Sequence, residues 1–128
     1  PEAMTAVHSY LQRKSAKNET VYAISDLHEV LKIIPGILTQ GPERRKRKNI
    51  SSKIFYSGEE VLSNDRASRR QAIKLKDKAK GDLNIYNDRM TILSYKGDES
   101  TGVIIESKEI VAVIRQLFEL AWKNQSKK

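Results

Sequence analysis

The stretch from Ser107 to Lys123 limits the fold of this chain more than any other. Ile110, Val113, Ile114, Leu117, Phe118 and Ala121 keep the spacing of one helical face for three turns, and Trp122 stands beside them. Ser107 precedes them as an N-cap. A helix with so wide an apolar face must bury it, and strand-like runs lie directly upstream. Leu83–Tyr86 and Met90–Tyr95 flank the turn-prone pair Asn87-Asp88, which reads as a β-hairpin. A second turn, Lys96 to Ser100, leads into Val103-Ile104-Ile105. The helix is expected to lie on this sheet through Ile110, Ile114, Leu117 and Phe118. Trp122 is expected either to seal the core or to meet a partner.

The first half adds the other elements. Met4, Val7, His8 and Leu11 share a helical face. Thr20 to Ile24 is rich in β-branched and aromatic residues and reads as a strand. Asp26 follows as an N-cap, with Glu29 completing a capping-box pattern, and Leu27, Val30, Leu31 and Ile34 form the apolar stripe of a helix. Pro35-Gly36 interrupts it, and a second helical stretch resumes through Ile37 and Leu38. Ile50 to Tyr56 is a second strand closed by Ser57-Gly58. Glu59 to Arg70 is a polar helical segment, and Ala72 to Leu75 a short edge strand. The fold class is therefore α/β: a mixed sheet with a βαβ start, a hairpin meander and a long C-terminal helix. Residues 1–19 form an N-terminal helix and linker, 20–123 the domain, and 124–128 a tail.

At 128 residues, 38% of them hydrophobic, the chain suffices for one modest core. It has no cysteine, which excludes disulfides, thiolate metal sites and cysteine nucleophiles. Two histidines, His8 and His28, are too few for a histidine-rich metal cage, so no metal site and no cofactor is expected. No apolar run approaches the ~18 residues of a membrane span. The expectation is a cytoplasmic domain without membrane contact. Pro1-Glu2-Ala3-Met4 reads as a cut inside a longer protein.

The net charge of +8 is unevenly placed: residues 44–80 hold 13 Lys or Arg against 4 acids. Arg44, Arg45, Lys46, Arg47 and Lys48, with Arg66, Arg69 and Arg70, are the candidates for contact with nucleic acid or another anion. A solvated surface that keeps the domain soluble accounts for the same charge. No aromatic residue interleaves with Arg44 to Lys48, so a stacking platform for single strands is not indicated.

No catalytic set emerges. A phospholipase D-type histidine needs a lysine two residues on, but Val30 follows His28 and Tyr10 follows His8 at that spacing. The six glycines are scattered and form no phosphate-cradling loop. Ser9, Ser25 and Ser57 lack a nucleophile-elbow setting, and the neighbours Glu59 and Glu60 point apart on a helix. One geometric site remains. If strands 20–24 and 50–56 are parallel neighbours, their carboxyl ends open on one edge, where ligands of open α/β sheets bind. Ser25, Asp26, Tyr56, Ser57 and Gly58 are delivered there as effector-binding candidates. Ordinary helix capping accounts for Ser25 and Asp26 as well.

The run from Leu83 to Tyr95, then Gly102-Val103-Ile104-Ile105-Glu106-Ser107-Lys108-Glu109-Ile110, then Leu117 to Trp122, resembles the C-terminal end of TrmB-like transcriptional regulators. Their shared run reads "IYGDKVAIIS…GVIIES.EIA…FELAW". Asn87 stands where that family has glycine and Arg89 where it has lysine, two exchanges that read as mild. The similarity covers roughly residues 8–123 and is strong from Leu83 onward. It implies a phospholipase D-like domain without catalytic motif, joined in such regulators to a DNA-binding winged helix that this chain does not contain.

The resemblance implies no enzymatic activity and a catalytically inactive effector-sensing or dimerisation domain of a bacterial or archaeal regulator. It implies a homodimer, a small-molecule effector, and DNA contacted through the missing winged helix. The alternatives are a phosphodiesterase or nuclease of the phospholipase D superfamily, and a basic nucleic-acid-binding module resting on the 44–80 charge.

Overall fold

The computed structural model describes residues 6–7, 10, 19–33, 49–66, 69–96 and 99–126. Its elements are β1 (Thr20–Asp26), α1 (Leu27–Ile33), β2 (Ser51–Ser57), β3 (Arg70–Lys74), β4 (Gly81–Ile85), β5 (Met90–Lys96), β6 (Glu99–Ile105) and α2 (Lys108–Ser126). They build one six-stranded sheet in the order β3-β2-β1-β4-β5-β6. β1, β2 and β3 run parallel, while β4 joins β1 antiparallel and opens the meander to β6. The α/β class, the βαβ start, the hairpin and the C-terminal helix therefore stand as expected. No described helix is long and apolar enough to cross a membrane.

Strand alternation sorts the core into two layers. Val21 of β1 and Leu93 of β5 point to one face, with Val30 of α1 and the helical residues Val7 and Tyr10. Tyr22, Phe55, Ile85 and Met90 point to the other, where Val111, Phe118 and Trp122 of α2 cover them. The register lines up Gln71, Lys53, Tyr22, Ile85, Met90 and Ile105 across the sheet. The α2 helix crosses this row, from the end of β6 toward β2 and β3.

Aromatic stacking fixes the rotation of α2. Phe118 lies parallel to Tyr22 with centroids 4.7 Å apart, and Trp122 tilts against Phe55 at 5.1 Å. On the flank of α2, Arg115 donates to the carbonyls of Thr20 (3.1 Å) and Tyr86 (3.0 Å) and lies over the Tyr22 ring. The expected packing through Ile110 and Leu117 is thereby corrected: both are exposed, and only Ile114 and Phe118 of the four face inward. Large rings bury more surface than aliphatic side chains, so they take the sheet and turn the aliphatic stripe outward.

Two other expectations change. Residues 58–64 are not helical; Asp65 bridges Arg70 by two backbone hydrogen bonds of 2.9 Å. With few apolar residues to bury, this segment satisfies its backbone through side chains instead. The Leu62 amide donates to the Tyr56 hydroxyl, and Asn64 Oδ1 accepts from the Ala72 amide. The capping box ahead of α1 does not close, because Asp82 Oδ1 accepts the Asp26 amide and Glu29 turns to Lys32. Ser107 does cap α2, accepting from the Ile110 amide. Ala6, Val7 and Tyr10 are helical. Met4, His8, Leu11, the 34–38 break and the tail residues Lys127 and Lys128 lie outside the described residues.

Arg89 makes contacts that a lysine in its place would not reproduce. Its guanidinium grips the buried Glu19 with two hydrogen bonds (3.0 and 3.2 Å), stacks over the buried Tyr86 and reaches the exposed Asp88 at 2.8 Å. Burial opposes its charge, but the bonds to Glu19 and Asp88 outweigh burial and raise its pKa. A lysine ammonium lacks the planar fork for that geometry. Asn87, by contrast, is not among the residues at positive φ, so no glycine is needed there.

Candidate functional site

Both ends of the parallel strands carry polar clusters, and they differ in kind. At the carboxyl end, the register pairs Ser25 with Tyr56 and Asp26 with Ser57, so the structure brings together the five residues expected on that edge. It then ties them down. The segment following β3 folds over them: the Leu75 amide donates to the Tyr56 carbonyl at 2.7 Å and the Ala79 amide to Ser57 Oγ at 2.9 Å. Lys78 Nζ lies 3.6 Å from Asp26 Oδ2 and 4.0 Å from Glu29. Ser25, Asp26, Tyr56 and Ser57 are all buried. Gly58 has φ +130°, and a Cβ there would meet the His28 amide at 3.2 Å, so glycine is required for β2 to pass the start of α1. His28 itself is exposed.

The amino ends of β2 and β3 are open. A groove of about 710 Å³ runs between the start of β2, residues 64–66 and 69–73, and the last turn of α2. It collects Arg66, Arg69 and Arg70, three of the expected anion contacts, and adds Lys53. Among the described residues that line it, Asp65 is the one carboxylate. Ser51, Ser52, Gln71 and Gln125 supply hydroxyls and amides, and Trp122 forms part of a wall, with Lys53 Nζ 5.7 Å from its ring centroid.

Local structure explains this convergence. The Asp65–Arg70 bridge closes a turn whose last residue, Arg69, has φ +56°. A left-handed backbone at a residue other than glycine costs about 1–2 kcal/mol. Arg70 is oriented by donating from Nε and Nη2 to the Ser63 carbonyl. Arg66 and Arg69 are exposed, and their side chains make no ion pair or hydrogen bond among the described residues.

No family model matches the chain. No curated protein matches it either.

Among the described residues, no group of three or more histidines, aspartates or glutamates could hold a metal ion. Arg44, Arg45, Lys46, Arg47 and Lys48 lie outside the described residues, just before the strand whose first residues line the groove. Lys53, Gln71 and Gln125 were not among the expected site residues. Lys53 carried a usable signal, as the one charged residue of its strand. Gln71 and Gln125 carried none, because only the parallel register and the course of α2 bring them in.

Proposed function

We propose that this chain is a catalytically inactive, effector-sensing and dimerising domain of a transcription regulator, with the phospholipase D-like fold that the TrmB-like resemblance implies. One observation supports the dimerising role most directly. Ile110, Val113, Leu117 and Leu120 of α2 are each more than half exposed, in the 3-4-3 spacing of a coiled-coil seam. They belong to the part of the chain that carries the resemblance. Ile92 and Val103, exposed on the same face of the sheet, extend the apolar surface. Uncovered apolar surface of this kind marks an interaction site.

The occupant is a second copy of this chain. Under a two-fold axis, antiparallel α2 helices set Ile110 opposite Leu120 and Val113 opposite Leu117, so the seam is complementary to itself. The same pairing brings Glu109 of one copy to Lys123 of the other, at the two ends of the seam. Sedimentation velocity tests this: the chain should run as a dimer at micromolar concentration, and Leu117→Glu with Leu120→Glu should run as a folded monomer. A wild-type monomer at high concentration removes the dimerising role.

A further inference from the structure

We infer that the groove at the amino ends of β2 and β3 is a binding site for a small phosphorylated molecule. Among the described residues it holds Lys53, Arg66, Arg69 and Arg70 against one carboxylate, that of Asp65. Guanidinium groups match phosphate oxygens with two parallel hydrogen bonds, and Arg66 and Arg69 have no side-chain partner among the described residues. Arg69 is carried at φ +56°, backbone strain of the kind that gathers at ligand sites. The volume of about 710 Å³ lies within the range of small-molecule pockets.

The rest of the groove points to the body of the ligand. Ser51, Ser52, Gln71 and Gln125 offer hydrogen bonds to a hydroxylated, polar skeleton. The Trp122 ring is buried, with Lys53 near its face, so it offers no platform on which nucleic-acid bases could stack. The last turn of α2 walls one side, which suits a compact phosphate ester and obstructs a duplex, whose phosphates lie on a convex cylinder. The site deepens the sensing half of the proposed function, and its occupant is the effector only if that function holds.

The test uses the one tryptophan of the chain, Trp122, whose emission reports on the groove that it lines. Inorganic pyrophosphate, a nucleoside diphosphate and a short DNA duplex are titrated separately at physiological salt. Pyrophosphate or the nucleoside diphosphate should give a saturable change. Arg66→Gln with Arg69→Gln should weaken it roughly tenfold or more, since each change removes a charge-assisted hydrogen-bonding group. Lys108→Gln, at the far end of α2, should leave it unchanged, and matching thermal melts establish that the variants fold. Three results overturn the proposal: no saturable binding of either small phosphate, saturation by the duplex alone, or equal binding by the double variant. A chain that dimerises without binding phosphate loses this site and keeps the dimerising role. A monomer that binds phosphate keeps the site and loses that role.

Discussion

Arg89 and Arg69 stand at the same end of the sheet and have opposite fates. Arg89 is buried, forked onto Glu19 and stacked on Tyr86, so its charge is consumed by the fold. Arg69 is exposed and held in a left-handed conformation, so its charge remains available to something outside the chain. The difference shows that the net basic charge has two separate uses. One is to lock β1 to the β4–β5 hairpin, and the other is to line a groove.

Breaking the Arg89 side of the comparison should have the largest effect. Arg89→Ala removes the guanidinium from the buried Glu19 carboxylate and should cost about 3–5 kcal/mol, read from chemical denaturation. Arg89→Lys keeps the charge and loses the fork, so it should cost about 1–3 kcal/mol. If the lysine variant is as stable as the parent, the two-pronged contact contributes nothing and the exchange is mild after all.

A second contrast runs along α2 and sharpens the first, because it also separates what the fold uses from what it offers. Phe118→Ala removes a ring stacked on Tyr22 and should cost about 3–5 kcal/mol. Leu117→Ala, one residue away and 58% exposed, should change the stability of the monomer by less than about 0.5 kcal/mol while weakening self-association. An equal loss of monomer stability in both variants would mean that the aliphatic stripe is covered within one copy.

These pairs show where the sequence was legible. Periodicity located α2, the hairpin and the parallel strands, because each is set by local alternation of apolar residues. It could not set the rotation of α2, since ten apolar positions between Ile110 and Trp122 share more than half of the helix circumference and only contact with Tyr22 and Phe55 selects among them. Glu59 to Arg70 was misread because polar composition fits a helix and an extended segment equally. The carboxyl-edge residues were placed correctly, yet their closure by Lys78 and Ala79 depends on a loop without periodic pattern. Clustering in sequence singled out Arg66, Arg69 and Arg70, whereas Lys53 joins them through strand register.

Tyr10 gives a smaller, pH-dependent effect on the other face of the sheet. Burial, and then the nearby Glu106 carboxylate, push its pKa up to about 12 from the usual 10. A phenol whose pKa is raised by folding stabilises the native state fully below pH 10, and that contribution is lost as the pH rises from 10 toward 12. Tyr22, also raised by burial and then by Glu119, acts in the same direction. Tyr10→Phe should therefore reduce the alkaline loss of stability without abolishing it. At neutral pH it should change stability little, because the Tyr10 hydroxyl makes no hydrogen bond of ordinary length among the described residues. Unchanged melts between pH 10 and 12 would contradict the role given to Tyr10.

The smallest change closes the comparison on the Arg69 side. Arg69→Gly relieves a left-handed backbone worth about 1–2 kcal/mol. Glycine also loses roughly 0.5–1 kcal/mol through the greater freedom of the unfolded chain. The two nearly offset each other, so the variant should be as stable as the parent or up to about 1 kcal/mol more stable. Its binding of pyrophosphate should nevertheless fall, because a cation leaves the groove. Gain or constancy in stability together with loss of binding is the signature of a residue kept for what it contacts outside the chain. A loss of more than about 1 kcal/mol would instead give the Arg69 side chain a structural task, and the distinction from Arg89 would collapse.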